Sequence, residues 1–201
     1  ALGAKTYVIN AQPDGLNINM NAGSTHIEVL QKFVKENQLD VGFAFDGDAD
    51  RCIAVDENGS VVDGDLILYV YGRYLKEKGK LRNNTVVTTI MSNLDCIKHL
   101  TNLVLIMKRH RLEINMFTKI WYRMDIVLAV NSQDILFSVN MQTTGDGILT
   151  AIKMMEVMLE KKQSLATLTS PVRIYPQVLK NVRVKSKPEA QNDADVQAAV
   201  K

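Results

Sequence analysis

The stretch Val41-Gly-Phe-Ala-Phe-Asp46-Gly-Asp48-Ala-Asp50-Arg51-Cys-Ile-Ala-Val-Asp56 decides the fold of this chain and the chemistry that it can support. Its first five residues are mostly apolar and predict a buried strand, and Ile53–Val55 predict a second strand. Between the strands, aspartates stand at alternate positions with only glycine and alanine between them, so the backbone can curl. The stretch therefore predicts two strands joined by a loop that gathers three carboxylates.

The three carboxylates indicate a cation site. Carboxylates within a few ångströms of one another raise each other's pKa unless a cation neutralises them. A hard divalent metal with oxygen ligands is the simplest such cation, so we expect Asp46, Asp48 and Asp50 to be metal ligands. Arg51 follows directly, and its planar guanidinium is suited to binding a phosphate group beside the metal.

Two other interpretations compete for the same loop. A solvated turn with three aspartates would have this composition. A calcium EF-hand is the sharper rival, because positions one, three, five, eight and twelve of its loop would be Asp46, Asp48, Asp50, Ile53 and Glu57. However, the position that usually needs glycine for a sharp turn carries Arg51, and the flanks look like strands, whereas an EF-hand needs helices.

The loop and further motifs resemble a known family. Asp46-Gly-Asp-Ala-Asp-Arg51, followed by Val62-Asp-Gly-Asp65, is similar to the metal-binding loop of the α-D-phosphohexomutases. Because the other matches are spread over the chain in family order, the resemblance does not depend on one short motif. They are Gln12–Asn19, Gly23–His26, Thr89–Leu94, Thr143–Ile148 and Tyr175–Arg183.

The resemblance implies an α/β fold with phosphohexomutase-type domains, each a mixed β-sheet sandwiched by helices. Residues 1–56 would be the latter part of a second domain that carries the metal loop. Residues 57–170 would form a third domain, and residues 171–201 a connector and the start of a fourth. Both ends of the chain look cut, so we expect a piece of a longer protein, with the family's phosphoserine upstream and its terminal phosphate-binding domain downstream.

The resemblance also implies an activity. Within the family, the matches favour the enzymes that interconvert glucosamine 6-phosphate and glucosamine 1-phosphate through a phosphoserine and a bisphosphorylated intermediate. Asp46, Asp48 and Asp50 would hold Mg²⁺, and Arg51 would steady the transferring phosphoryl group. His26 could face the sugar or a phosphate at a helix start, although a histidine with no ligand is equally expected there.

Alternatives remain at this point. Family members that act on mannose or glucose phosphates would share the aspartate loop. From another class, a non-catalytic protein could retain only metal binding. Since the phosphoserine would lie outside these residues, we expect the chain to be inactive alone. Its expected partners are a phosphorylated hexosamine, the remaining domains of the enzyme and, in some members, a second copy as a homodimer.

Composition limits the class of protein. With 201 residues, of which 46% are hydrophobic, the chain can bury the core of one or two domains. A net charge of +2 argues against a nucleic-acid partner. Two cysteines make no disulfide framework, which suits a reducing cytoplasm, and no apolar run has membrane length, so no membrane contact is expected.

Periodicity and turn residues predict the local elements. The predicted strands are Tyr7–Ile9 and Thr85–Thr89, with a strand-bearing connector over Val172–Val184. The predicted helices are an N-capped one from Gly23 to about Asn37, one over Ile67–Lys78, one after Gly147 and one over Ser164–Leu168. The helix after Gly147 is expected to bury Ile148, Leu149, Ile152, Met155, Val157, Met158 and Leu159 as core positions.

Residues 95–142 break the family pattern. They contain no glycine and no proline, and they carry the basic run Lys108–Arg111, which on composition alone would suit a basic helix. If each codon borrows the last base of its predecessor, Asp95–His99 becomes Gly-Leu-Tyr-Lys-Ala, a natural continuation of the preceding motif. In the same way Leu112–Met116 becomes Val-Gly-Asp-Lys-Tyr, and Ala129–Ile135 becomes Gly-Gly-Glu-Gln-Ser-Gly-His.

The last two reread strings are the family's phosphate-side loop and its sugar-recognition loop. Three family strings recovered in order are hard to assign to chance, so we interpret residues 95–142 as an out-of-frame translation, opened by one lost base and closed by one gained. Where the proper frame has glycines at tight turns, the chain has Ala129, Val130 and Asp134. We therefore expect poor packing in this segment.

Overall fold

The computed structural model describes residues 3–81, 84–89, 92–102, 106–110, 128–130, 135–137, 145–176, 178 and 183–200. Within these ranges the strands form two sheets, one of three strands and one of four. No helix in the described ranges is long and apolar enough to cross a membrane. The expected α/β architecture is confirmed.

The first sheet carries the aspartate loop. A 3-10 turn at Ser24–His26 leads into α1 (Ile27–Glu36), which packs Leu30 and Val34 toward the sheet. The strands β1 (Val41–Phe45), β2 (Cys52–Asp56) and β3 (Val61–Val62) pair antiparallel in that order. Since Phe45 lies opposite Cys52, residues 46–51 are the turn of the β1–β2 hairpin.

The second sheet is mixed, as the resemblance implies. It contains β4 (Thr85–Thr89), β5 (Ile106–His110), β6 (Leu128–Val130) and β7 (Ile135–Phe137) in the spatial order β5, β4, β6, β7. The first three neighbours run parallel, and β7 returns antiparallel to β6. The helices of the described ranges are α2 (Gly64–Glu77), α3 (Leu94–Asn102), α4 (Gly147–Lys161), α5 (Leu165–Thr169), α6 (Lys187–Asn192) and α7 (Ala194–Val200).

The main core lies between the helices and both sheets. Burying aliphatic side chains is the dominant favourable term in folding, at roughly 1.5–3 kcal/mol for a large one. One cluster joins α2, α3, α4 and α5 with β2, β3 and β4, so a single core spans the two sheets. Its fully buried members include Ile67, Leu68, Val86, Cys96, Leu100, Met154 and Leu165.

Side-chain hydrogen bonds fix the start of α3. The carboxylate of Asp65 accepts from the Asn93 backbone amide at 2.7 Å, and the Cys96 thiol donates to the Asp65 carbonyl at 3.0 Å. The Asn93 side chain in turn donates to the Tyr175 carbonyl at 2.9 Å and accepts from the Tyr175 amide at 3.2 Å. The connector after α5 is thereby pinned to the head of α3.

Several sequence predictions are confirmed at the level of single elements. β1 and β4 have the predicted bounds, and the helix predicted over Ile67–Lys78 is present as α2, which begins three residues earlier behind Asp63, whose side chain accepts from the Leu66 amide. Asp146 caps α4 by accepting from the Leu149 amide, and Ser164 caps α5.

Other predictions were wrong. Tyr7–Ile9 form no strand, since no described strand lies beside them and an isolated extended segment has no ladder. The helix at Ser24 has no side-chain cap and enters through the 3-10 turn instead. Residues 172–176 of the connector contain no strand, because their backbone bonds to the side chains of Asn93 and Asp95, whereas residues 177 and 179–182 lie outside the described residues and leave the strand predicted within Val172–Val184 untested there.

The buried face of α4 also differs from the prediction. Ile148 and Leu159 were expected in the core but are 56% and 77% exposed. Val157 is buried as predicted, and the other buried apolar side chains of the helix are Ala151 and Met154; these three residues share one face through spacings of three residues. With apolar residues around most of the helix, the sequence pattern did not define which face would meet α2.

The structure describes part of residues 95–142. Cys96 and Leu100 on α3 are fully buried, so the expected poor packing does not hold for this helix. The basic run was compatible with a helix but lies on β5 up to His110. Leu112–Met116 and residues 131–134, where the reread loops would fall, lie outside the described residues. The frame hypothesis stays a prediction.

Hydrogen exchange would test the frame hypothesis. Foreign side chains in a sheet leave unpaired polar groups at about 1–3 kcal/mol each, against a total stability of about 5–15 kcal/mol. Because α3 is well packed, we expect the amides between residues 103 and 141 to exchange faster than those of Val41–Phe45, with Leu66–Leu75 of α2 as the internal reference. Strong cooperative protection across the whole segment, equal to that of β1, would show that the segment is a genuine evolved sequence.

Candidate metal centre

The turn between β1 and β2 brings the three predicted ligands together. The Ala49 amide donates to the Asp46 carbonyl at 3.1 Å, and Ala49 itself has a φ of +58°, in the left-handed region. This tight curl lets one carboxylate oxygen each from Asp46, Asp48 and Asp50 lie within 4.8 Å of the other two. The convergence predicted from the sequence is therefore present.

Arg51 folds back onto the first of these ligands. Its backbone amide donates to Oδ1 of Asp46 at 3.1 Å, and its Nε donates to Oδ2 at 2.5 Å. The same Nε lies 3.7 Å from Oδ1 of Asp50. The Asp46 side chain is only 4% exposed whereas that of Arg51 is 39% exposed, so the buried carboxylate has a cationic partner that reaches solvent.

The electrostatic balance at Asp46 favours the ionised carboxylate. Burial raises the pKa of this carboxyl, but the hydrogen bonds from Arg51 and its positive charge outweigh burial, and the resulting pKa lies below the ordinary value. A lowered pKa in the folded state contributes stability above the unfolded value. That contribution is lost as the pH falls through the folded pKa.

The donor set fits a hard divalent cation. Mg²⁺ takes oxygen ligands at 2.0–2.1 Å, so two oxygens on opposite sides of the ion stand about 4.2 Å apart. At most one pair of three ligands can stand on opposite sides of the ion, and adjacent oxygens stand about 2.9 Å apart, so the carboxylate oxygens, which lie within 4.8 Å of one another, would move closer together on binding. Asp46, Asp48 and Asp50 therefore suit Mg²⁺, with Asp46 shared between the metal and Arg51.

His26 and Asp46 face the same cavity. The cavity has a volume of about 990 Å³ and extends between residues 8–29 and the end of β1. His26 is half-exposed there, and its Nδ1 lies 3.3 Å from Oε1 of Glu28. Asp46 and Gly47 also line this cavity, whereas Asp48, Asp50 and Arg51 do not. His26 thus shares the cavity with one ligand of the loop and not with the other two.

The N-terminus of α4 also touches the loop, which the sequence prediction missed. The Gly147 amide donates to the Ala49 carbonyl at 2.9 Å. The signal that was available is the pair of glycines around Asp146, from which the sequence analysis predicted only a helix after Gly147. Nothing in the sequence indicates that the two segments meet.

The sequence matches one family and many relatives. Residues 1–59 match the family described as phosphoglucomutase/phosphomannomutase, alpha/beta/alpha domain II. The chain is 55% identical over 204 residues to a phosphoglucosamine mutase of Lachnospira eligens, and 54% identical over 202 residues to one of Lachnoclostridium phytofermentans. All of the chain is covered in both, but only 44% and 45% of those relatives, so the chain spans less than half of their length.

A solved structure agrees with the fold. The Aspergillus fumigatus N-acetylphosphoglucosamine mutase in complex with GlcNAc-6P and magnesium superimposes with a TM-score of 0.68 at 18% sequence identity. The match covers 85% of this chain and 40% of that one. At this identity the likeness concerns the fold alone.

Replacing Arg51 would test the electrostatics of the loop. In Arg51→Met the aliphatic stem remains, but the charge and the Nε donor are lost, so the pKa of the Asp46 carboxyl should rise. The measurement is an NMR titration of the carboxyl carbons without metal. Arg73→Met, which removes one of the two cationic partners of Glu77, is the matched control and should leave the pKa of Asp46 unchanged. An unaltered Asp46 titration in Arg51→Met would contradict the conclusion that Arg51 lowers the pKa of Asp46.

Proposed function

Because the chain belongs to the α-D-phosphohexomutase family, we propose that it is a segment of a magnesium-dependent phosphoglucosamine mutase. This enzyme would interconvert glucosamine 6-phosphate and glucosamine 1-phosphate through a phosphoserine and a bisphosphorylated intermediate. The observation that carries the proposal is the cluster of Asp46, Asp48 and Asp50 with Arg51 beside it.

The loop residues have distinct roles in this proposal. Asp46, Asp48 and Asp50 hold Mg²⁺, which when bound would polarise a phosphoryl oxygen and offset the charge that develops in transfer. Arg51 keeps Asp46 ionised and ready to bind a cation, and its half-exposed guanidinium can reach a phosphate oxygen. His26 faces the cavity beside Asp46, where it can donate to a phosphate or a sugar hydroxyl.

The proposed substrate class is based on the relatives. Two curated phosphoglucosamine mutases match the whole chain at more than half identity, which supports glucosamine phosphate over the mannose and glucose phosphates of other family members. The sugar-recognition loop expected near residues 131–134 lies outside the described residues and does not contribute to the choice.

Other regions of the enzyme complete the proposal. The chain spans 44% of the Lachnospira eligens relative, so we propose that the phosphoserine and the terminal phosphate-binding domain belong to parts outside these 201 residues. The remaining domains are then its main protein partner, with a homodimer as a further assembly, in the cytoplasm. On this proposal the segment alone binds metal but does not turn over substrate.

Removing ligand charge should weaken Mg²⁺ binding. We expect Asp48→Asn to weaken binding by roughly several-fold, since one formal charge leaves a site made only of oxygen ligands. The triple variant with Asn at positions 46, 48 and 50 should show no binding. Titration calorimetry measures both, with Asp40→Asn in the turn before β1 as a control. Equal affinities in the wild type and the triple variant would disprove the metal assignment.

The chain alone should show no mutase turnover. Positioning and an activated phosphoryl donor supply nearly all the rate in phosphoryl transfer, and on this proposal the donor lies elsewhere. A coupled assay with glucosamine 1-phosphate should give the same background for the chain and for its Asp48→Asn variant. Turnover of the wild-type chain well above that of the variant would overturn the expectation.

A further inference from the structure

The aspartate loop has a conformation that needs support. Its three carboxylates repel one another, and Ala49 holds a left-handed conformation that non-glycine residues adopt rarely. Such a residue is strained and persists only where its surroundings impose it. Within the turn itself, the described backbone hydrogen bond is the one from the Ala49 amide to the Asp46 carbonyl.

A distant element supplies a second backbone bond. The amide of Gly147, the first residue of α4, donates to the carbonyl of Ala49 at 2.9 Å. The first amides of a helix have no partner within the helix, so this donor is available to the loop. The bond therefore fixes the carbonyl of the same residue whose left-handed conformation curls the turn.

Close packing allows this bond to form only if the residue has no side chain. A Cβ on Gly147 would stand 2.7 Å from the Arg51 carbonyl oxygen, 2.9 Å from that of Ala49 and 2.9 Å from a ring carbon of Phe45. A Cβ on Gly145 would stand 2.9 Å from the Asp50 carbonyl oxygen. Because most of these neighbours are backbone atoms, they cannot move aside without moving the loop.

The helix start is itself held rigidly. The Asp146 side chain accepts from the Leu149 amide at 2.8 Å, and its carbonyl accepts from the Thr150 amide at 3.0 Å and from the Thr150 hydroxyl at 2.8 Å. Thr150 is fully buried, and Met154 lies in the main core. Gly147 is therefore anchored to the core on one side and to the loop on the other.

We propose that the N-terminus of α4 positions the aspartate loop for metal binding, with Gly147 as the main positioning residue and Gly145 as a secondary one. The helix holds Ala49 in its left-handed conformation and so keeps Asp46, Asp48 and Asp50 close together. Metal affinity then depends on a helix far along the chain as well as on the hairpin that carries the ligands. This inference rests on the proposed function in that the metal site is the one described above.

The test compares three glycine-to-alanine variants of the full 201-residue chain. Gly147→Ala should displace the loop, Gly145→Ala should displace it less, and Gly79→Ala should leave it in place. Gly79 has a φ of +65° at the end of α2, and no atom lies within 4 Å of the position that a Cβ would take, so its substitution strains the backbone without touching the loop. It is thus the control for general loss of stability.

Two readouts separate positioning from stability. Without metal, the amide resonances of residues 46–51 should shift in Gly147→Ala and stay unchanged in Gly79→Ala. With MgCl₂, calorimetry should show affinity weakened roughly tenfold or more in Gly147→Ala, as for other residues that orient metal ligands. Gly79→Ala should keep the wild-type affinity even if its melting temperature falls as far as that of Gly147→Ala.

The outcomes also separate this inference from the proposed function. If the wild type binds no Mg²⁺, the proposed function fails, and the loop resonances alone decide whether α4 positions the loop. Unshifted loop resonances in Gly147→Ala would overturn the inference. If the wild type binds Mg²⁺, an affinity of Gly147→Ala equal to that of the wild type would overturn it as well. If Gly147→Ala does not fold, Gly145→Ala serves in its place with the same criteria.

Discussion

Mutual repulsion of three carboxylates is the constraint on which this structure depends. Asp46, Asp48 and Asp50 can stay close only on a turn that is held from outside, because their like charges oppose convergence. Arg51 offsets part of the repulsion by pairing with Asp46. The hairpin strands hold the two ends of the turn, and the start of α4 holds its middle. The chemistry of the loop therefore rests on contacts from segments far apart in the chain.

Much of the first sheet could be predicted because its information is local. β1 is a run of mostly apolar residues that is followed directly by turn residues, so its bounds followed from the sequence. Tyr7–Ile9 has a similar pattern but no strand beside it in the described residues, and pairing is a property that one segment cannot encode. The contact of Gly147 with Ala49 was unpredictable for the same reason, since it joins segments far apart in the chain.

In residues 95–142, the presence of a helix and of strands does not by itself distinguish a natural reading frame from a displaced one. α3 buries Cys96 and Leu100, and short apolar runs at Leu128–Val130 and Ile135–Phe137 pair as strands. Any reading frame rich in aliphatic residues can supply such runs, because a buried position requires an apolar side chain of suitable size and not one particular residue. Loops are more demanding, since they need glycine and particular polar groups. The loops of this segment are the places where a displaced frame would have its largest effect.

The two buried thiols carry a practical consequence. Burial raises the pKa of Cys52 to about 12 and that of Cys96 still further, so neither forms a thiolate at neutral pH in the folded chain. Each becomes reactive only when its own surroundings open. Cys52 begins the strand after the aspartate loop, and Cys96 lies at the head of α3. The rate of alkylation at Cys52 would therefore report the opening of the hairpin, and the rate at Cys96 would report the opening of α3. Both rates can be measured in one molecule that carries no added label.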